Sequence, residues 1–301
     1  MAKYSIKDLE HLSGIKEHTL RIWEQRYGLI DPKRTETNIR YYDQEDLKLV
    51  LNVSLLKENG FKISKIAKMS MDEMHAEVQI VSEKTTSFAD QIYALTLSMI
   101  DLDEQRFEKI ISTNTLKIGF ERTMMNVISP FLSKIGIMWL TDSINPAQEH
   151  FISNLIRQKL LVAIDGQYPT LDAQARKYML FLPDGELHEL SLLFANYLIK
   201  ARENKVIYLG QSMPMHDLSM AYEVYQPDYL LTVLTSRPKE MPAKEYLEKL
   251  ASDYPSSEIL VSGNQVIGQD LELPDNVTPI SNLNALIEFV EENAQSVSKD
   301  H

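Results

Sequence analysis

No cysteine occurs in the 301 residues. That excludes disulfides, thiolate metal sites and cysteine nucleophiles. Glycine is scarce, ten in all, and none of it forms the spaced clusters that cradle phosphates. There is no Gly-x-Gly-x-x-Gly after an apolar run, no Walker loop, no Gly-x-Ser-x-Gly elbow and no His-Glu-x-x-His pair. No apolar run approaches a membrane span, and the opening Met-Ala-Lys-Tyr-Ser-Ile-Lys-Asp lacks an apolar signal segment. A cytoplasmic protein without membrane contact and without catalytic turnover is expected. Positive charge is also in deficit, 31 Lys and Arg against 43 Asp and Glu, for a net charge of −12. The deficit is uneven. Residues 1–70 hold 13 basic and 10 acidic residues, a net +3, and the remainder carries −15. A local basic face is all that phosphate contact requires, while an acidic body discourages nonspecific adhesion to nucleic acid.

That basic segment has a definite pattern. Ser5 caps a helix with Asp8 at its third position, and Ile6, Leu9 and Leu12 share a face. Ser13-Gly14 makes a turn into a second helix over 17–27, stopped by Gly28 and Pro32. A small ribbon follows, turned at Thr37-Asn38 and carrying Lys33, Arg34, Arg40, Tyr41 and Tyr42. Asp43 caps a longer helix ending at Asn59-Gly60. In a winged helix-turn-helix the second helix enters the major groove and its flanks grip phosphates. It would offer Lys16, His18, Thr19, Arg21, Gln25 and Arg26, with Arg34, Arg40 and Tyr41 on the wing against the backbone or minor groove. At least one of Trp23 and Tyr27 is expected to pack the small core instead, and Tyr42 is open to either role.

Residues 72–164 are helical in pattern, with helices over 72–82, 86–99, 103–112, 117–138 and 146–164 and a break at Thr113-Asn114. After a linker at 165–175, apolar runs alternate with amphipathic helices: 178–182 then 187–202, 206–209 then 215–225, 229–235 then 239–252, 258–261, and 277–280 then 282–293. Repeated β-α implies a parallel sheet. The expected fold is therefore multidomain, α plus α/β. It comprises a winged helix-turn-helix head over 1–75, a four-helix bundle over 76–165, and a doubly wound flavodoxin- or Rossmann-like sheet over 176–301.

Ligands of open parallel sheets sit beyond the carboxyl ends of the strands. Glu186 and His188 follow the first strand of this region. A neutral imidazole is a common metal ligand and needs an orienting partner, which Glu186 could supply. By spacing alone, the same residues equally fit a solvated helix start. Trp139 and Glu149-His150 flank a turn between two bundle helices. Adjacent helix positions point apart, so Glu149 and His150 do not chelate one metal.

Residues 4–47 resemble the MerR family of winged helix-turn-helix regulators, through Tyr4-Ser5-Ile6, Thr19-Leu20-Arg21, Trp23-Glu24-Gln25-Arg26-Tyr27-Gly28-Leu29, Pro32, Arg34 and Arg40-Tyr41-Tyr42. The Arg-x-Trp-Glu-x-Arg-Tyr-Gly form is similar to the subset that couples this head to a cobalamin sensor, including light-sensing repressors. Trp139-x9-Glu149-His150 is similar to the motif covering the upper corrin face. Glu186-x-His188 resembles the Glu/Asp-x-His-x-x-Gly motif of corrinoid-dependent methionine synthases. The resemblance implies a dimer or tetramer on an inverted repeat of promoter DNA, with adenosylcobalamin as cofactor and light-driven loss of its adenosyl group as a signal. It implies His188 as the lower cobalt ligand, Glu186 as its orienter, Trp139 against the upper substituent, Glu149 on the adenosyl group and His150 as the upper ligand after its loss. The pattern is altered in at least two places. The motif's glycine is Ser191, the family's third-strand serine corresponds to Thr235 or Ser236, and a Gly-Gly pair in the nucleotide-tail channel reads Ser262-Gly263. These departures motivate an alternative, a cobalamin-free sensor acting through protein contacts or another small ligand. A corrinoid methyl carrier is the remaining rival.

Overall fold

The computed structural model describes residues 4–35, 38–58, 60–84, 88–140, 144–168, 170, 172, 174–238 and 241–296. Contacts divide the chain into two compact units, Met1–Leu155 and Ile156–His301.

The first unit opens with α1 (Ile6–Ser13), whose amino end is closed reciprocally. Asp8 N donates to Ser5 Oγ at 3.2 Å and Ser5 N to Asp8 Oδ2 at 2.6 Å. Gly14 turns the chain at φ 72° into α2 (Glu17–Ile22), which widens into a π-helical turn at Trp23–Tyr27 and stops at Gly28, φ 60°. The wing pairs β1 (Lys33–Arg34) with β2 (Arg40–Tyr41), antiparallel. Asn38 takes the left-handed conformation at its tip, φ 64°, while Thr37, the other expected turn residue, lies outside the described residues. Tyr4 and Tyr42 exchange two backbone hydrogen bonds of 2.8 Å, fastening the wing to the start of α1. Both rings are buried, as is Trp23, so these aromatics form the core of the head. Asp43 caps α3 (Gln44–Glu58) by accepting from Asp46 N at 3.1 Å. The short α4 (Ile63–Ile66) and then α5 (Met71–Lys84) follow.

The remaining helices are α6 (Phe88–Asp101), α7 (Glu104–Ile118), α8 (Phe120–Thr123), which passes through a second π-helical turn at Met124–Ile128 into α9 (Ser129–Leu140), and α10 (Pro146–Asp165). The expected break at Thr113-Asn114 is absent, and α7 runs through it. The Asn114 side chain has two acceptors. Its amide donates to Ile110 O at 2.8 Å, one turn back, and to Gln91 Oε1 at 3.1 Å on α6. The interruption falls at Gly119, φ 83°, so the expected helix over 117–138 starts after it. The division between the two units runs through α10.

In the second unit, five parallel strands follow one another as β3 (Lys177–Pro183), β4 (Lys205–Met213), β5 (Tyr229–Val233), β6 (Glu258–Ser262) and β7 (Val277–Pro279), in spatial order β4-β3-β5-β6-β7. Met179, Phe181, Leu230, Ile259 and Val261 face α12 (Met215–Tyr225) and α13 (Ala243–Asp253). The other face carries α11 (Leu190–Lys200) and α14 (Leu283–Ser296), where Phe289 meets Tyr229 edge-on. The strand order reverses between β3 and β5. In doubly wound sheets such a reversal opens a crevice at the carboxyl ends of the strands.

One glycine at this edge is sterically obligatory. Gly263 sits at φ 104°, and a Cβ there would lie 2.3 Å from Leu234 O. The backbone after β6 therefore presses directly on the end of β5, where Leu234 N donates to Ser262 O at 2.8 Å. Gly263→Ala is expected to destabilise the protein by about 3 kcal/mol through strain and displaced backbone. Gly268→Ala, also at positive φ (80°) but with open space around it, should cost about 1 kcal/mol. Chemical denaturation of the two variants against wild type measures the difference.

Candidate ligand site and nucleic-acid interface

The loop between β3 and α11 carries Glu186 and His188. The helix expected to start at 187 begins instead at Leu190, because Glu186 takes up the backbone of the intervening residues. Its Oε1 accepts from Leu187 N at 2.9 Å and His188 N at 3.0 Å. The same oxygen lies 2.5 Å from His188 Nδ1. Its Oε2 accepts from Ser236 N at 2.7 Å and Ser236 Oγ at 2.8 Å, on the loop after β5. One carboxylate thus spans the reversal of the sheet. Of the two residues weighed for the third-strand serine, Ser236 is the one bonded to Glu186.

Burial would raise the Glu186 pKa. Hydrogen bonds from the His188 and Ser236 backbones and side chains outweigh it and bring the pKa down to about 2. The carboxylate is therefore ionised and accepts only, so His188 Nδ1 donates to it and Nε2 is the ring nitrogen left to face a ligand. Glu186 keeps 4% of its side-chain surface and His188 keeps 70%. A fixed base thus holds a presented ring.

The neighbouring Glu189 is buried by a second set of contacts that the sequence reading did not find. Arg157 Nε on α10 donates to its Oε1 at 2.6 Å and the Tyr208 hydroxyl on β4 to its Oε2 at 2.8 Å. These partners lie 32 and 19 residues away, beyond any local spacing rule. Ser212 fixes the other side of the loop, donating to Asp184 Oδ1 at 2.7 Å and accepting from Gly185 N at 2.9 Å. Ser191 is exposed on α11. The Ser262 hydroxyl is committed to Ile280 O at 2.8 Å, tying β6 to the end of β7, and Gly263 makes the close approach already described.

On α10, the Glu149 carboxylate accepts from Ser153 Oγ at 2.8 Å and lies 3.3 Å from His150 Nδ1. The expectation that the two side chains point apart is corrected. Their rotatable stems bring them together at the helix start, with His150 73% exposed. Trp139 lies in the last turn of α9, and its side chain is outside the described residues. Among the described residues, no group of three or more His, Cys, Asp and Glu could hold a bare metal ion. A single presented imidazole suits a metal carried by its own macrocycle.

In the head, Arg21 donates to Glu17 Oε1 at 2.6 and 3.1 Å and Lys16 Nζ to Glu10 Oε1 at 3.0 Å. His18 Nε2 lies 3.3 Å from Thr19 Oγ1. Arg26 is exposed over the Tyr27 ring, 5.6 Å from its centroid. On the wing, Arg34 donates to Asn38 Oδ1 at 2.7 Å, Arg40 lies 3.8 Å from Glu24 Oε1, and Tyr41 is half-buried. Tyr42 is core, with its hydroxyl 3.4 Å from Glu24 Oε2. A further exposed cationic row, Lys62, Lys65 and Lys68, lines an open hollow around α4. Its three-residue spacing was legible in the sequence but was not singled out.

Residues 4–72 match the family model described as MerR HTH family regulatory protein, and residues 92–163 match the one described as B12 binding domain. The chain carries a MerR-type helix-turn-helix and a B12-binding domain, and is homologous to the CarH and CarA repressors. It is 26% identical over 247 residues to the HTH-type transcriptional repressor CarH of Myxococcus xanthus, covering 79% of this chain and 81% of that one. It is 27% identical over 226 residues to CarA of the same organism, covering 74% and 73%. The solved monomethylamine corrinoid protein of Methanosarcina barkeri superposes with a TM-score of 0.50 at 11% identity, over 65% of this chain and 94% of that one. That last likeness is one of fold. The B12-binding match itself falls on α6 to α10 and leaves the parallel sheet outside it.

The Glu186 geometry has a pH consequence. A carboxylate whose pKa falls from an ordinary 4.5 to about 2 on folding adds stability that is complete above pH 4.5 and is lost as pH drops toward 2. The stability advantage of wild type over Glu186→Gln should therefore be constant above about pH 4.5 and shrink steadily below it. Melting temperatures of both proteins across that range test this. A gap that does not depend on pH refutes the ionised, hydrogen-bonded carboxylate.

Proposed function

We propose that the chain is a DNA-binding transcriptional regulator whose operator affinity is set by cobalamin. The Ser236–Glu186–His188 arrangement carries the reading, since it presents one oriented imidazole at the strand-order reversal of a sheet that follows a MerR-type head. Bound cobalamin would supply a cobalt centre open to an imidazole nitrogen below and, in the adenosyl form, a light-sensitive substituent above.

The chain's own residues set the terms of that binding. Glu186 accepts from His188 Nδ1, so Nε2 is the ring nitrogen left to donate a lone pair. Ser236 holds Glu186 charged, and Arg157 and Tyr208 hold Glu189, so the loop is shaped before any ligand arrives. Trp139, Glu149 and His150 are assigned to the upper side by resemblance. The Glu149–His150 contact supports a pair in which the carboxylate restrains an exposed imidazole.

In the head, α2 would enter the major groove with Lys16, His18, Thr19, Arg21 and Arg26. Arg34, Arg40 and Tyr41 would follow the backbone from the wing, and Lys62, Lys65 and Lys68 would add phosphate contacts. Arg21 and Arg40 keep 40% and 42% of their side-chain surface in water, against 34% for Glu17 and 13% for Glu24. Such pairs are worth under about 1 kcal/mol, so exchanging them for phosphate costs little. Self-association as a dimer or tetramer would place several heads on an inverted repeat. A ligand favouring one assembly would then change occupancy steeply through avidity. We assign residues 1–75 to DNA, 76–165 to the upper face and 176–301 to the lower face of the ligand.

Mixing the protein with adenosylcobalamin in darkness and desalting should leave a coloured protein fraction, and His188→Ala should change its cobalt spectrum. A colourless fraction at saturating ligand would refute cobalamin control and leave the cobalamin-free sensor standing. An unchanged His188→Ala spectrum would refute the lower-ligand role. For the head, Arg21→Ala with Arg40→Ala should weaken operator binding by about 3 kcal/mol and lower the salt slope by about 1–2. Titrations at two ionic strengths measure both.

A further inference from the structure

The first unit contains a cleft that neither reading uses. It lies between α3 of the head and helices α5, α6 and α7, and has a volume of about 670 Å³. That is within the range of roughly 300–1,000 Å³ usual for small-molecule sites. Val78, Ala94, Leu97 and Ile110 give it apolar walls, and all four are buried. Neither Glu149 nor His150 lines it.

Two carboxamides face this cleft, and they differ. Gln91 is engaged, accepting from Asn114 Nδ2 at 3.1 Å. Asn52, on α3, is only 2% exposed, yet no hydrogen bond to its carboxamide is found among the described residues. The Asn52 amide is not sealed in the core: its nitrogen and oxygen open onto the cleft, where a ligand can reach them. A carboxamide donor and acceptor turned toward a cleft point to a partner from outside the folded chain. The cleft mouth is also charge-balanced. Lys48 pairs with Asp101 at 2.7 Å and Glu45 at 3.2 Å, and Arg106 pairs with Asp101 and Asp103, both at 3.4 Å. An ionic ligand would have to displace one of these partners, whereas a neutral one would not.

We propose that this cleft is a second ligand site, taking a small neutral heterocycle whose edge offers a hydrogen-bond donor beside an acceptor to the Asn52 carboxamide, with its faces against Val78, Leu97 and Ile110. Because the cleft is walled by α3 of the head and by α5–α7, occupancy bears on the placement of the head within this unit and provides an input separate from the His188 site.

The test uses the full chain without cobalamin. Adenine, uracil and lumichrome each carry the required edge, and indole, which has a donor but no adjacent acceptor, is the control. Ligand-observed saturation-transfer NMR should detect at least one of the three, with indole at least tenfold weaker. Asn52→Leu should weaken that binding at least tenfold while the protein stays folded, as its melting transition reports. Should Asn52→Leu fail to fold, Thr113→Trp, which fills the cleft from its half-buried rim, should produce the same loss. The proposal is overturned if none of the three probes binds, if indole binds equally well, or if a folded variant retains wild-type affinity.

Discussion

The Glu186 carboxylate joins two loops that the sheet topology brings together at its one reversal of order. It is almost wholly withdrawn from water, yet it stays charged because four N–H or O–H donors from three residues converge on it beside the His188 ring. A buried charge with fewer partners would protonate or swing out, since desolvation alone is worth several kcal/mol. With these partners it does neither, and three consequences follow. The loop after β3 cannot continue as helix, His188 is held with Nδ1 toward the carboxylate, and the loop after β5 is drawn in at Ser236. Removing the carboxylate would not merely delete one contact. It would release the ring, both loops and the geometry of the crevice together.

Charge is divided along the chain in a way that serves the same end. The basic residues of the head are exposed but tethered. Arg21 is paired with Glu17, Lys16 with Glu10, and Arg40 with Glu24. Each tether is weak in water and exchangeable for phosphate. The remainder of the chain carries −15, which repels a polyanion wherever the head is not engaged. Nonspecific affinity is thereby kept low, so that moderate changes in specific affinity decide occupancy.

Local devices were legible in the sequence, and long-range ones were not. The Ser5–Asp8 box, the Asp43 cap and the glycine stop at Gly28 depend on residues within a few positions of one another, and all appear in the structure. The β-α alternation after 176 gave the strands to within a few residues, but spatial order is set by packing across the sheet and leaves no local mark. Ser236 meets Glu186 across 50 residues and Arg157 meets Glu189 across 32. Spacing rules could name Ser236 only as one of two neighbours and could not find Arg157 at all. The Thr113-Asn114 break failed for a related reason. Asparagine disfavours helix when its side chain bonds backbone in non-helical conformations, whereas here its amide backs onto the Ile110 carbonyl of its own helix and reaches Gln91 of another. At Ser262 the sequence reading saw only an added hydroxymethyl in a channel, whereas its hydroxyl is taken by Ile280 O.

The head is tied to the helices behind it by contacts of a magnitude suited to regulation. The Ser13 carbonyl, at the turn of the helix-turn-helix, accepts from Ser54 Oγ on α3 at 3.0 Å and from the Tyr93 hydroxyl on α6 at 2.7 Å. Lys48 on α3 reaches Asp101 at the end of α6. A neutral hydrogen bond is worth about 1 kcal/mol net, and a partly exposed ion pair no more than about that. The polar tie between α6 and the reading turn therefore amounts to about 2 kcal/mol. Couplings between sites in regulated proteins run at about 1–3 kcal/mol, a change of roughly 5- to 150-fold in affinity. A far stronger tie would fix the head in one pose whatever was bound behind it, and a far weaker one would leave it indifferent to the helices. With a polar tie of about 2 kcal/mol, any ligand that distinguishes two arrangements of α6 by a few kcal/mol is able to bias the reading helix without unfolding it. The second hydrogen bond to Ser13 matters for the same reason. If α6 withdraws Tyr93, Ser54 still satisfies the carbonyl, so the head keeps its own fold while losing its bearing.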